Sequence, residues 1–146
     1  LSSIKSVVLT QTDTTVGFIS QNNEKLSEIK SREASKQFIK VYPNLKAFTI
    51  SNRVPVSKRR LFRKSKKTTF IIKNKALRIS PTKLHSQILR DTSWNYSTSA
   101  NKSGEKFEYI FCQDKADIII QNKYGLKEMR ASTLLKINDA KTVKLR

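Results

Sequence analysis

The chain has 146 residues, of which 37% are hydrophobic, with 7 Phe, 4 Tyr and 1 Trp; that is material for one hydrophobic core and excludes a disordered tail, which would be poorer in aromatics. Its 30 Lys and Arg stand against 11 Asp and Glu, a formal charge of +19, so the expected partner is anionic: nucleic acid, nucleotide phosphates or an anionic lipid surface. One cysteine, Cys112, and one histidine, His85, exclude an internal disulfide, a Cys/His zinc centre, and any Ser-His-Asp or Cys-His hydrolase not built on His85.

In chain order, Ile4 to Thr10 reads as a strand through the β-branched run Val7-Val8-Leu9. Gln11 to Gly17 is a Thr-rich turn leaving it. Asn22 or Asn23 is placed to cap a helix that carries Leu26 and Ile29 on one face. Lys30 to Lys36 is a charged loop, and Phe38 to Tyr42 a second strand halted by Pro43. Asn44 to Ile50 reads as a brief helix. Pro55 opens another, running through Leu61 and Phe62, because proline suits a first helical turn. Thr68 to Ile72 and Ala76 to Ile79 are strand-like. Leu84, Ile88 and Leu89 sit at helical spacing and predict a helix over Thr82 to Arg90. Trp94 to Ser97 is a strand entering a loop of small residues, Ser97 to Gly104. Phe107 to Phe111 reads as helical, Ala116 to Gln121 as a buried strand, and Leu134 to Ile137 and Thr142 to Leu145 as the last two strands.

Strands alternating with short helices, without an internal repeat or a Gly/Ser/Pro linker, predict one α/β (α+β) domain over residues 1–146, built on a twisted mixed sheet. No apolar run approaches the roughly 20 residues that cross a bilayer. Leu1-Ser2-Ser3-Ile4-Lys5 does not read as a secretory leader. A cytoplasmic protein with no membrane partner is therefore expected, and lipid ranks last among anionic partners because no long basic amphipathic helix is evident.

Three segments carry hydroxyls, amides or cations beside a strand or helix end. They are Gln11 to Phe18, Lys30 to Lys36, and Ser97-Thr98-Ser99-Ala100-Asn101-Lys102-Ser103-Gly104. In open α/β sheets ligands bind outside strand ends, and such groups suit phosphate oxygens. In this order they resemble the YrdC family of threonylcarbamoyl-adenylate synthases. That family shows Pro-Thr-[Asp/Glu]-Thr-x-[Tyr/Phe]-Gly-Leu, then Lys-x-Arg-Pro, then Ser-Thr-Ser-Ala-Asn-x-Ser-Gly. The third motif stands unchanged at Ser97 to Gly104. The second keeps Lys30 and Arg32, with Lys36 at the place of a further family lysine, and the first keeps Thr12, Asp13, Thr14 and Gly17. Ala76 to Ile79, Ala116 to Ile120 and Ala131 to Leu135 extend the likeness, in order, over nearly the whole chain. The departures are Gln11 for Pro, Val16 for an aromatic, Glu33 and Gln37 for prolines, Lys66-Lys67 for a Pro-Gly-Pro, and a short stretch between Gly104 and Asp117.

The resemblance implies a YrdC-like open cleft and an enzyme that joins L-threonine, bicarbonate and ATP into threonylcarbamoyl-AMP with release of pyrophosphate. That product passes to downstream threonylcarbamoyl-transferase proteins to modify an adenosine of transfer RNA. ATP is implied as substrate, with magnesium on its phosphates and no dedicated protein metal site. Lys30, Arg32, Ser97, Ser99, Asn101, Ser103, Ser132 and Thr133 would serve ATP and its phosphates. Thr12, Thr14, Lys36 and Arg78 would serve threonine. The alternatives are a non-catalytic module of the same fold that binds double-stranded or transfer RNA through its positive charge, and a carbamoyl-transfer domain of a larger enzyme. Lys58 to Lys67 reads either as an RNA contact or ATP funnel, or as a solvated helix face around a buried Leu61 and Phe62. Asp13 reads as a turn former or a magnesium contact, His85 and Cys112 as packing residues, and Trp94 and Tyr96 as packing rather than base-stacking rings.

Overall fold

The computed structural model describes residues 5–31, 38–80, 93–138 and 141–146. Nine strands among these residues form one mixed sheet: β1 (Val8–Gln11), β2 (Val16–Ser20), β3 (Ile39–Tyr42), β4 (Thr68–Ile72), β5 (Lys75–Ile79), β6 (Asn95–Ser99), β7 (Ile118–Ile120), β8 (Thr133–Ile137) and β9 (Thr142–Lys144). The spatial order is β7-β1-β2-β6-β3-β5-β4-β8-β9. The β1/β7, β3/β5 and β4/β8 pairs are parallel, and the remaining neighbours run antiparallel.

The short helices form where side-chain oxygens replace missing backbone partners. Asn22 accepts from the Lys25 N–H to start α1 (Asn23–Lys30), and Asn44 accepts from the Ala47 N–H to start α2 (Leu45–Ser51). Helix α1 ends at Ser31, which adopts the left-handed conformation at φ 49°. Pro55 precedes a 3-10 turn (Val56–Lys58) that leads into α3 (Arg59–Lys64), and α4 spans Tyr109–Lys115. No helix among the described residues is long and apolar enough to cross a membrane.

Two apolar clusters divide the interior. One joins β1 and β2 to α1 and α4 through Val7, Leu9, Phe18, Leu26 and Cys112. The other packs α2 and α3 on β3, β4, β5 and β8 through an aromatic chain, in which Tyr42, Phe48, Phe62 and Phe70 follow one another at centroid separations of 5.3, 5.3 and 4.0 Å. Phe62 is therefore core, while the cations beside it at Arg59, Arg60, Arg63 and Lys64 are exposed. Trp94 and Tyr96 also pack on one another, edge to face at 5.1 Å, with the Lys40 ammonium 4.0 Å from the Trp94 ring centre.

The structure differs from the sequence reading at three strands. Val16–Ser20, of which Val16 and Gly17 read as the end of the Gln11-to-Gly17 turn, is the strand β2. Every residue of it is buried, so it lacks the alternation that marks a half-exposed strand. Strand β6 runs on through Ser99 because Ser97, Thr98 and Ser99 pair with β2. Ile118–Ile120 lies at the sheet edge and, among the described residues, pairs with β1 alone, so it is half exposed rather than buried. The helix predicted over Thr82 to Arg90, with His85, lies outside the described residues.

Candidate functional site

Strand β2 brings the two recognisable loops together. Gly17 pairs with Thr10 on one side and with Ser99 on the other. The turn leaving β1 and the loop leaving β6 are thus held side by side. Gly17 suits this close approach: a Cβ built there would lie 3.0 Å from both Thr12 Cγ2 and the Thr98 carbonyl oxygen, tighter than an ordinary contact. Beside it opens a cavity of about 330 Å³, lined by Thr12, Thr14, Arg78, Ser97, Ser99 and Ser132 among other residues. That volume is at the lower end of the roughly 300–1,000 Å³ of small-molecule sites.

The turn is fixed from within. Thr12 Oγ1 donates to the Thr15 carbonyl at 2.6 Å and accepts from the Thr14 N–H at 3.3 Å. Asp13 is buried, its Oδ1 3.2 Å from Arg78 Nε on β5. Burial pushes the Arg78 guanidinium below its ordinary pKa, and the Asp13 carboxylate works against that shift. Arg78 therefore faces the cavity already oriented by Asp13, which acts as the arginine's partner. On the far wall the Ser132 and Thr69 hydroxyls are 2.7 Å apart, and Arg146 Nε donates to the Ser132 carbonyl at 3.0 Å.

A second group of residues adjoins the cavity at Ser99. Lys30, the last residue of α1, is buried, and its ammonium donates to the Ser99 carbonyl (3.1 Å), the Asn101 carbonyl (2.7 Å) and Asn101 Oδ1 (2.8 Å). Ser99 Oγ also donates to Asn101 Oδ1 at 2.7 Å, Asn101 Nδ2 donates to the Glu105 carbonyl, and Ser103 Oγ donates back to the Lys30 carbonyl at 2.6 Å. The side chains expected to reach a ligand are here tying the loop to α1. What the loop leaves open is its backbone. The N–H groups of Lys102, Ser103 and Gly104 donate to nothing among the described residues. Successive free amides at an exposed turn form a concavity suited to an anion.

Of the twelve residues expected at the site, six line the cavity and three more, Lys30, Asn101 and Ser103, form the adjoining loop network. Thr133 is in β8, its N–H donating to the Lys67 carbonyl, and it is not among the cavity-lining residues. Arg32 and Lys36 lie outside the described residues. Among the lining residues not expected at the site are Thr98, Thr15 and Arg146. Thr15 adjoins the Thr12–Thr14 run and could have been read from it. Arg146 carries no local signal, because only the β4-β8-β9 order returns it to Ser132.

No protein-family model matches the chain, and no curated protein matches it in sequence. Solved structures match its fold. Sua5 of P. abyssi complexed with L-threonine superposes with a TM-score of 0.77 at 17% identity, over 97% of this chain and 50% of that one. E. coli YciO gives 0.79 at 16%, over 97% and 82%. Full-length HypF in a phosphate- and nucleotide-bound form gives 0.72 at 14%, over 97% and 27%. The fold is YrdC-like, as in Sua5 and YciO, and the chain spans about half the length of the Sua5 it matches.

Proposed function

We propose that the chain is an L-threonylcarbamoyladenylate synthase: it binds L-threonine, bicarbonate and ATP and forms threonylcarbamoyl-AMP and pyrophosphate. The observation that carries this reading is the convergence of Thr12, Thr14, Arg78, Ser97, Ser99 and Ser132 on one small cavity, with a loop beside it whose backbone amides donate to nothing among the described residues. A neighbour in fold binds L-threonine, and another is a phosphate- and nucleotide-bound form.

In this reading the cavity holds the amino acid. Arg78, oriented by Asp13, meets its carboxylate, and the Thr12–Thr14 turn meets its polar end. The triphosphate lies over the Ser97–Gly104 loop, where the Lys102, Ser103 and Gly104 amides receive phosphate oxygens. Lys30 acts by fixing that loop, and Arg32 and Lys36 add positive charge. The threonine amine and bicarbonate form a carbamate with loss of water; a carbamate oxygen then attacks the α-phosphate and pyrophosphate departs, so no protein nucleophile is needed. Catalysis is positioning and charge neutralisation. Magnesium would travel with the phosphates, because it keeps several waters and takes few protein ligands, and Asp13 is paired with Arg78. The product would feed the threonylcarbamoylation of transfer RNA in the cytoplasm, within a single domain over residues 1–146.

The test is pyrophosphate release from ATP and magnesium with bicarbonate, with and without L-threonine, together with detection of the adenylate by mass. Release that needs threonine is expected. Folded protein that releases no more pyrophosphate with threonine than without it overturns the reading. The net charge of +19 favours a second reading, a non-catalytic RNA-binding module. Steeply salt-dependent binding of transfer RNA without pyrophosphate release would be its signature.

A further inference from the structure

A second concavity, of about 1,130 Å³, is bounded by the segment joining α2 to α3, the turn between β4 and β5, and the end of β8. Its described lining shares only Ile71 with the smaller cavity. Two features set it apart from ordinary surface. It carries four exposed cations, Arg53, Arg59, Lys73 and Lys136, with no Asp or Glu among the described lining residues. None of the four forms an ion pair within the described structure. The chain has no acidic residue between Glu33 and Asp91, so Arg53, Arg59 and Lys73 are not neutralised by their sequence neighbours. The groove also presents Ile50 and Val56, each 79% exposed.

The groove wall is preformed. Asn52 Nδ2 donates to Tyr42 Oη and to the Phe48 carbonyl, both at 3.0 Å, and Val54 is buried in the aromatic cluster. Ile50 and Val56 therefore stand on either side of an anchored segment, and their exposure does not come from a loose loop. A polyanion alone would use the cations and leave both aliphatic side chains wet. Single-stranded nucleic acid would need ring faces on which to stack bases, and the described lining contains no Phe, Tyr or Trp. A ligand that uses every feature carries carboxylates and apolar side chains together, which is how protein interfaces combine an apolar centre with complementary charge.

We propose that this groove docks an acidic amphipathic segment of another protein, whose carboxylates meet Arg53, Arg59, Lys73 and Lys136 and whose apolar side chains cover Ile50 and Val56. This inference does not rest on the ATP-dependent reading of the smaller cavity. The experiment is fluorescence anisotropy at about 0.15 M salt. The probes are a fluorescein-labelled peptide of alternating Leu and Glu, polyglutamate of equal charge, single-stranded and duplex RNA, and phosphatidylglycerol vesicles. The alternating peptide is expected to bind at least tenfold tighter than polyglutamate. Ile50→Asp or Val56→Asp should remove that advantage, and Lys73→Glu with Lys136→Glu should weaken the peptide at least tenfold. All four are exposed positions, and unchanged thermal unfolding would show that the variants fold. An alternating peptide that binds no better than polyglutamate overturns the proposal. So does RNA or vesicle binding that the same substitutions abolish while the peptide fails to bind, which would make the groove a nucleic-acid or lipid surface.

Discussion

Replacing Lys30 by Met keeps the buried stem and removes only the ammonium. Three oxygens then lose the ammonium: the Asn101 carbonyl at 2.7 Å, the Ser99 carbonyl at 3.1 Å, which keeps the Asn101 N–H, and Asn101 Oδ1 at 2.8 Å, which keeps the Ser99 hydroxyl. A hydrogen bond to a charged group contributes about 1.5–3 kcal/mol net, and bonds that share one donor group do not add. The set is therefore worth about 3 kcal/mol. At about 2–4 °C per kcal/mol for a chain near this size, Lys30→Met should lower the thermal midpoint by about 10 °C, read by circular dichroism. The Ser97–Gly104 loop should loosen at the same time. Hydrogen exchange at its backbone amides should rise, and threonine-dependent pyrophosphate release should vanish. Lys30→Arg should not restore it, because a planar fork cannot converge on three oxygens arranged for an ammonium. An unchanged midpoint together with unchanged loop exchange would refute the assignment of Lys30 as the tie between α1 and the loop.

Other consequences follow from the same geometry. Asp13→Ala leaves the Arg78 guanidinium buried without its carboxylate, 3.2 Å away in the native chain, and should cost about 3–5 kcal/mol in urea unfolding. Asp13→Leu combined with Arg78→Met should recover most of that stability, and a double variant as weak as Asp13→Ala would argue against a pairwise origin. Gly17→Val would drive a side chain against the Thr98 carbonyl and Thr12 Cγ2, each 3.0 Å from the new Cβ. A loss of about 1–3 kcal/mol is expected, and native stability would show that β2 and β6 are not held so closely. Cys112 is buried in the cluster of β1, β2 and α4, and burial raises its thiol pKa, which lowers the thiolate fraction at neutral pH. Alkylation by iodoacetamide should therefore follow unfolding, rising with denaturant; rapid labelling of the native protein would contradict that packing.

Much of the local structure was legible in the amino-acid order. Asn22 or Asn23 is legible as a cap, because an amide oxygen one residue before a helix satisfies an otherwise unpaired N–H; the cap is Asn22, and Asn44, read as the start of a brief helix, caps the next. Val7-Val8-Leu9 and Thr68 to Ile72 announce strands through β-branched residues. Long-range pairing decided the remainder. Val16–Ser20 becomes a strand because β1 and β6 satisfy its backbone on both sides, and Ile118–Ile120 is an edge because no strand continues beyond it among the described residues. The same holds at the site. The residue types of Asp13 and Arg78, of Lys30 and Asn101, and of Ser132 and Arg146 could be listed from the chain, but not who meets whom. Hydrogen bonds and ion pairs are decided within about 3 Å, a distance that sheet order sets and that separation along the chain does not encode.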